Sequence, residues 1–240
     1  MQHMESISSY FRHPKWGMQL LLGSVCMLIP LVGMIAMLGY TIEVFVAQHR
    51  GAGDHYAEFD FNRFGPYLGL GIWPILAGLI VMLCALPLGA LVFAPLAAIP
   101  VMELENELIA IPIAATGVLY IGVVFLVTFI SLPINIRGAL TQHVGTAFSR
   151  TWIVDFIKRV WGPMIVMHLF LFAISIPMMM VGYLTCGFGF YPVTVVLLYS
   201  TWHLYRQLYE IYLERGGTPI EIDAKLLPKE APALDAPQTP

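Results

Sequence analysis

Four long stretches of this chain carry no charged side chain: residues 16–42, 64–102, 108–136 and 160–205. A bilayer-spanning helix needs roughly 20 consecutive apolar residues, and each stretch exceeds that. A soluble domain would scatter Lys and Glu through such lengths to solvate the outer faces of its helices. The pattern therefore specifies an all-α fold, a polytopic transmembrane helical bundle. Composition agrees: 11% of the residues are charged, where soluble domains run about 25%. The net charge of −3 leaves no basic surface to neutralise phosphates, which argues against nucleic acid as a partner. Cys26, Cys84 and Cys186 lie far apart in apolar stretches with no Cys-x-x-Cys pair. They indicate neither a disulfide framework nor a zinc site and read as small buried residues.

Charge and punctuation divide the chain further. Residues 1–15, with Arg12 and Lys15, precede an apolar run longer than the ~7–15 residues of a signal peptide. They read as a cytoplasmic segment before a retained first span at 17–42. A single transmembrane domain then covers 16–215. Residues 216–240 are rich in Pro and Ala with alternating charges and no apolar periodicity, the composition of a disordered, solvated tail.

Within the domain, Thr185-Cys-Gly-Phe-Gly-Phe-Tyr-Pro192 is a natural reversal between spans near 161–183 and 190–212. Residues 108–136 make one span. The 64–102 stretch, interrupted at Pro74, Pro87, Pro95 and Pro100, is either two spans near 66–86 and 87–102, turning at Pro87-Leu-Gly89, or one span plus a re-entrant piece. Six spans with both termini cytoplasmic is the first reading, five plus a re-entrant segment the second. Six spans place the basic 137–160 connection inside and the acidic Glu103-Leu-Glu-Asn-Glu107 outside. They also put residues 43–63, with Arg50 and Arg63, on the outer face. An internal echo pulls the other way. Asp60-Phe-Asn-Arg-Phe-Gly-Pro66 resembles Asp155-Phe-Ile-Lys-Arg-Val-Trp-Gly-Pro163. Parallel repeats would put both on one face and require residues 17–42 to dip and return around Pro30, or an odd crossing count elsewhere.

Several short motifs resemble a known family. Pro14-Lys-Trp16, Leu28-Ile-Pro30, Gly39-Tyr40, Arg50-Gly51 and Phe59-Asp60 are followed by Phe148 and Trp152 in an amphipathic segment. Cys186-Gly-Phe-Gly189, Pro192 and Tyr205-Arg-Gln close the pattern. Over about residues 10–212 this is similar to the bacterial and archaeal integral membrane family catalogued as domain of unknown function 4013. The family commonly has Leu-Pro before the acidic-aromatic pair where this chain has Ala57-Glu58. The resemblance implies a multi-pass protein of a bacterial or archaeal inner membrane, and it implies no reaction.

Ionisable groups inside bilayer spans are costly and mark candidate sites. No Asp, Glu, Lys or Arg falls near the middle of a span, so a proton-coupled pump is disfavoured; Glu43 and Glu103 read as interfacial. His168 and His203 each lie roughly 10 Å deep, and adjacent helices could pair their rings as haem or chlorin ligands. The bland alternative gives each histidine a carbonyl or hydroxyl partner across the bundle, and no cofactor is required. Residues 152–160 place Trp152, Ile153, Phe156, Ile157 and Val160 on one helical face and Asp155, Lys158 and Arg159 on the other. This is a short interfacial amphipathic helix. Its Lys158 and Arg159 are candidates for anionic lipid headgroups. Gly65-x-x-x-Gly69, Ala77-Gly78, Ala85-x-x-x-Gly89, Gly117 and Gly122 offer close helix packing or an oligomer seam.

No zinc-protease, nucleophile-elbow or phosphate-loop motif is present. The reading is a non-enzymatic membrane protein, an accessory, assembly or scaffold component acting through lipid, protein partners or self-association. A small-molecule or lipid transporter is the alternative, with Thr116, Thr128, Ser131, Asn135 and Ser175 facing a shared space.

Overall fold

The computed structural model describes residues 1–52, 58–102 and 109–227. Among the described residues the secondary structure is helical, with α1 Glu5–Arg12, α2 Trp16–Met27, α3 Val32–Ala47, α4 Phe64–Met102, α5 Ala110–Thr141, α6 Val144–Ala147, α7 Arg150–Leu184 and α8 Phe190–Glu214. Among the described residues, four helical segments are long and apolar enough to cross a membrane: Val32–Gly51, Phe61–Ala94, Ala110–Thr141 and Arg150–Leu184.

The 17–42 stretch is not one helix. Pro30 cannot continue a backbone ladder, and Leu31 takes the left-handed φ of 61°. The chain folds back there, so α2 and α3 form an antiparallel hairpin. The Tyr40 hydroxyl donates to Gln19 Oε1 at 3.0 Å, although residues this far apart on a straight helix would be separated by roughly 30 Å. Gly33 permits the tight return, because a Cβ there would sit 1.9 Å from the Cys26 carbonyl oxygen. With 12 residues, α2 is about 18 Å long, short of a bilayer's ~30 Å core.

The opposite correction applies at Pro87. The helices expected near 66–86 and 87–102 are one 39-residue helix, α4. Nothing polar at Pro87-Leu-Gly89 supplies a turn, and α5 runs antiparallel beside α4 from Gly78 opposite Asn135 to Phe93 against Tyr120. Prolines in apolar helices survive where neighbours and local adjustment satisfy the freed carbonyls. In α7 the expected division does exist: Val160 leaves helical geometry (φ −126°, ψ 15°) and separates the amphipathic 150–159 piece from the apolar 161–184 piece. The reversal after α7 falls in 185–189, with Cys186 at φ 52° and Gly187 at φ 92°.

Helix α8 is the central post. It runs parallel to α3, with Phe45 against Trp202 and His49 against Tyr209. It also receives α1 through Ser200 Oγ donating to the Ser6 carbonyl at 3.2 Å. Residues 5–12 are thus a docked helix rather than a loose leader. The apolar window of α3 is 67% buried, against 11% for α4, 6% for α5 and 11% for α7. Protein therefore wraps α3, while the other three turn apolar surface outward.

The main core joins Phe45, Leu140, Phe156, Trp202, Leu208 and Tyr212 to Ile220 and Leu226 of the C-terminal segment. The expectation of a solvated tail from 216 is therefore corrected as far as 227; residues 228–240 lie outside the described residues. Thr218 N donates to the Tyr212 hydroxyl at 2.9 Å and Ile220 N to the Tyr209 hydroxyl at 2.8 Å. Asp223 N bonds the Leu140 carbonyl at 2.9 Å. Substituting Tyr209→Phe strands the buried Ile220 amide, which costs about 1–3 kcal/mol. Limited proteolysis should then cut within 217–226 at least tenfold faster; an unchanged rate would mean the strap does not depend on this bond.

Candidate functional site

Polar side chains gather in two places. The first is the seam where α3 lies along α8. Gln48, at the π-helical end of α3, donates Nε2 to the Tyr199 hydroxyl at 3.1 Å. His203 is buried beside them, stacked on Tyr199 at 6.1 Å. Thr41, Val44, Phe45 and Trp202 complete the lining, and the space they enclose does not admit a water molecule. At one end of the seam, Arg206 pairs with Glu210 at 2.6 Å and His49 lies 3.8 Å from the same carboxylate. Glu43 accepts from Arg63 at 2.7 Å, and that guanidinium lies over the Tyr67 ring.

The two histidines singled out from the sequence have different surroundings. His168 donates Nδ1 to the Met164 carbonyl of its own helix at 2.8 Å. Its ring sits among Phe125 and Phe129 of α5, at 5.5 and 5.8 Å. His203 faces α3 instead. Among the described residues, no group of three or more His, Cys, Asp or Glu is placed to hold a metal. The hydroxyls expected to share a space turn to their own backbones: Thr128 to Val124 and Phe125, Ser131 to Val127, Ser175 to Phe172. Thr116 is buried on α5, and Asn135 lies beside Gly78. Of the cysteines, only Cys26 is buried; Cys84 and Cys186 are exposed.

The second cluster lies where the first turns of α7 meet the end of α8. Trp152 and Phe156 point into the core. On the outer side, Arg159 Nε donates to both Asp155 carboxylate oxygens at 2.9 Å. Its Nη1 also bonds the Arg215 carbonyl, while Arg215 returns a bond to the Arg159 carbonyl. The Tyr212 hydroxyl donates to Asp155 Oδ2 at 2.9 Å. Desolvation works against the Asp155 carboxylate, but the Tyr212 hydroxyl and the Arg159 guanidinium outweigh it and hold its carboxyl below the ordinary range. Arg159 is therefore committed to intramolecular bonds. Lys158 is exposed, and with Arg150, Thr151, Val154 and Asp155 it lines an open depression of about 410 Å³.

Sequence reasoning missed the closest helix contact. A Cβ on Gly39 would lie 1.9 Å from the Tyr67 carbonyl oxygen, and one on Gly71 would lie 1.9 Å from that of Ile35. The small residues singled out at Gly65, Gly69, Gly89, Gly117 and Gly122 have nothing within 4 Å of a Cβ position. Spacing could not separate these cases, because Gly is common on both packed and outward faces of apolar helices.

One comparison with known proteins is informative. The family model described as "Protein of unknown function (DUF4013)" matches residues 22–187. No curated protein and no solved structure matches.

Proposed function

The chain belongs to the DUF4013 family, and from that premise we propose that it is a multi-pass membrane protein that works as a scaffold or assembly component, without a reaction of its own. The carrying observation is the contrast between interior and exterior. Inside, Gln19 bonds Tyr40, Gln48 bonds Tyr199 and Ser200 bonds the Ser6 carbonyl, the hydroxyls of Tyr10 and Thr116 are buried without a hydrogen-bond partner among the described residues, and the α3–α8 seam has no room even for water. Outside, α4, α5 and α7 offer long apolar faces. A transporter needs a hydrated path and an enzyme a substrate cleft; lipid and partner contact need only surface.

The proposed topology is four crossings, by α4, α5, the 161–184 part of α7, and α8, with α2–α3 as a re-entrant hairpin. The hairpin's apex exposes Leu28, Ile29 and Leu31 and carries no charge. Charge supports this arrangement. The connections on one face, 103–109 and 185–189, contain no Lys or Arg, and the 11 basic residues among the described ones fall on the other face. The positive-inside rule makes that face cytoplasmic and brings both described ends to it. It also moves Arg50 and Arg63 to the inner face and places the two Gly-Pro echoes on one face.

Native mass spectrometry of the full chain, extracted from its own membrane in mild detergent, tests the scaffold reading. The expected result is a stoichiometric second polypeptide. A monomer that carries a specific small molecule and no protein would overturn it in favour of transport or ligand binding.

A further inference from the structure

Helix α7 bends at Val160, and the proposed topology, on which this inference rests, places that bend where the chain enters the bilayer. Arg150, Val154 and Lys158 recur every four residues and so form one stripe on the amphipathic piece, and Trp161 opens the apolar piece just past the bend. Each of these four is exposed. Trp161 is 60% exposed, too much for a packing residue and suited to an interfacial anchor. Beside this stripe is the depression of about 410 Å³ lined by Arg150, Thr151, Val154, Asp155 and Lys158.

The charges in that depression are not equivalent. Asp155 is already engaged by Arg159 and Tyr212, so its negative charge is largely answered from the inner side. Neither Arg150 nor Lys158 makes a hydrogen bond or ion pair among the described residues. Two cations and the Thr151 hydroxyl are left facing outward at headgroup level, above an exposed indole that can lie along acyl chain. The geometry points to a binding site for the phosphodiester headgroup of an anionic phospholipid at the α7 elbow, held by Arg150 and Lys158. Arg159, which the sequence alone proposes for that role, serves to fix Asp155 and the end of α8 instead.

The test uses the full chain in nanodiscs made from equal parts phosphatidylglycerol and phosphatidylcholine, with bound lipid read by native mass spectrometry. The wild-type chain should retain phosphatidylglycerol in preference. Arg150→Gln and Lys158→Gln should each lower that preference roughly fivefold, as expected for one basic residue at a charged surface. Both positions are exposed, so circular dichroism should match the wild type. Lys225→Gln removes an equal charge from the C-terminal segment and should leave the preference unchanged. Equal retention of the two lipids by the wild-type chain would overturn the site. So would an equal loss in Lys225→Gln, which would mean diffuse charge. Displacement of phosphatidylglycerol by millimolar inorganic phosphate would overturn the lipid assignment. Failure to enter nanodiscs of either lipid would instead sink the membrane reading, and this inference with it.

Discussion

Replacing Gly71 with leucine is expected to pry α3 from α4 and lower the apparent melting temperature in detergent by more than about 6 °C. The two helices cross at backbone contact, with Gly39 against the Tyr67 carbonyl and Gly71 against the Ile35 carbonyl, each 1.9 Å from a hypothetical Cβ. Carbonyls within helices cannot swing aside as a flexible side-chain tip can, so the axes must separate by ångströms. Overpacking of this kind costs typically 1–3 kcal/mol and occasionally more, and each kcal/mol shifts a domain of this size by about 2–4 °C. Separation would also disturb the bridge from Arg63 to Glu43 at 2.7 Å. Gly117→Leu and Gly122→Leu are the controls, since nothing lies within 4 Å of either Cβ position. Should Gly71→Leu melt together with these two, the contact would not be a stability determinant.

Labelling from one side of sealed vesicles should separate the proposed topology from six spans without ambiguity. In a background with Cys26, Cys84 and Cys186 replaced by serine, Glu58→Cys and Lys158→Cys should react with an impermeant maleimide from the same side. Phe188→Cys, in the 185–189 turn, should react only from the other. The ion pair of Lys15 with Glu58 at 2.8 Å already ties the start of the hairpin to the segment after it. Reaction of Glu58→Cys from the Phe188 side would place the α2–α3 stretch across the bilayer and rule out a re-entrant hairpin.

Element type was legible in the sequence, and chain direction was not. Uncharged length announces an apolar helix whichever way it runs, so 16–42 reads as a crossing and 64–102 as two, or as one with a re-entrant piece. The decision rests on single residues. Pro30 sits where Gly33 lets the chain double back, whereas Pro87 sits within a continuous helix paired with α5. The turn at 185–189 was legible because Gly187, Gly189 and Pro192 punctuate an otherwise unbroken apolar run. The elbow at Val160 was legible from the switch between an amphipathic and a uniformly apolar pattern. The C-terminal strap was not, because Ile220 and Leu226 are isolated apolar residues in a polar context and gain meaning only from Tyr209, Tyr212 and Leu140. Of the residues in the proposed lipid site, the outward placement of Lys158 was legible from helical spacing. The commitment of Arg159 to Asp155 and Arg215 needed the fold, since Arg215 lies just past the end of another helix.

The antiparallel pairing of α4 with α5 and of α7 with α8 has a consequence for biogenesis. On the proposed topology, the described charged stretches stay on the side of synthesis, and only the short connections after α4 and after α7 must be carried through. Each helix pair can then enter the bilayer as a unit, with its backbone polar groups already satisfied and almost no hydrophilic cargo to export. A lone crossing helix would leave its follower on the wrong side; a pair returns the ribosome-bound chain to where it began.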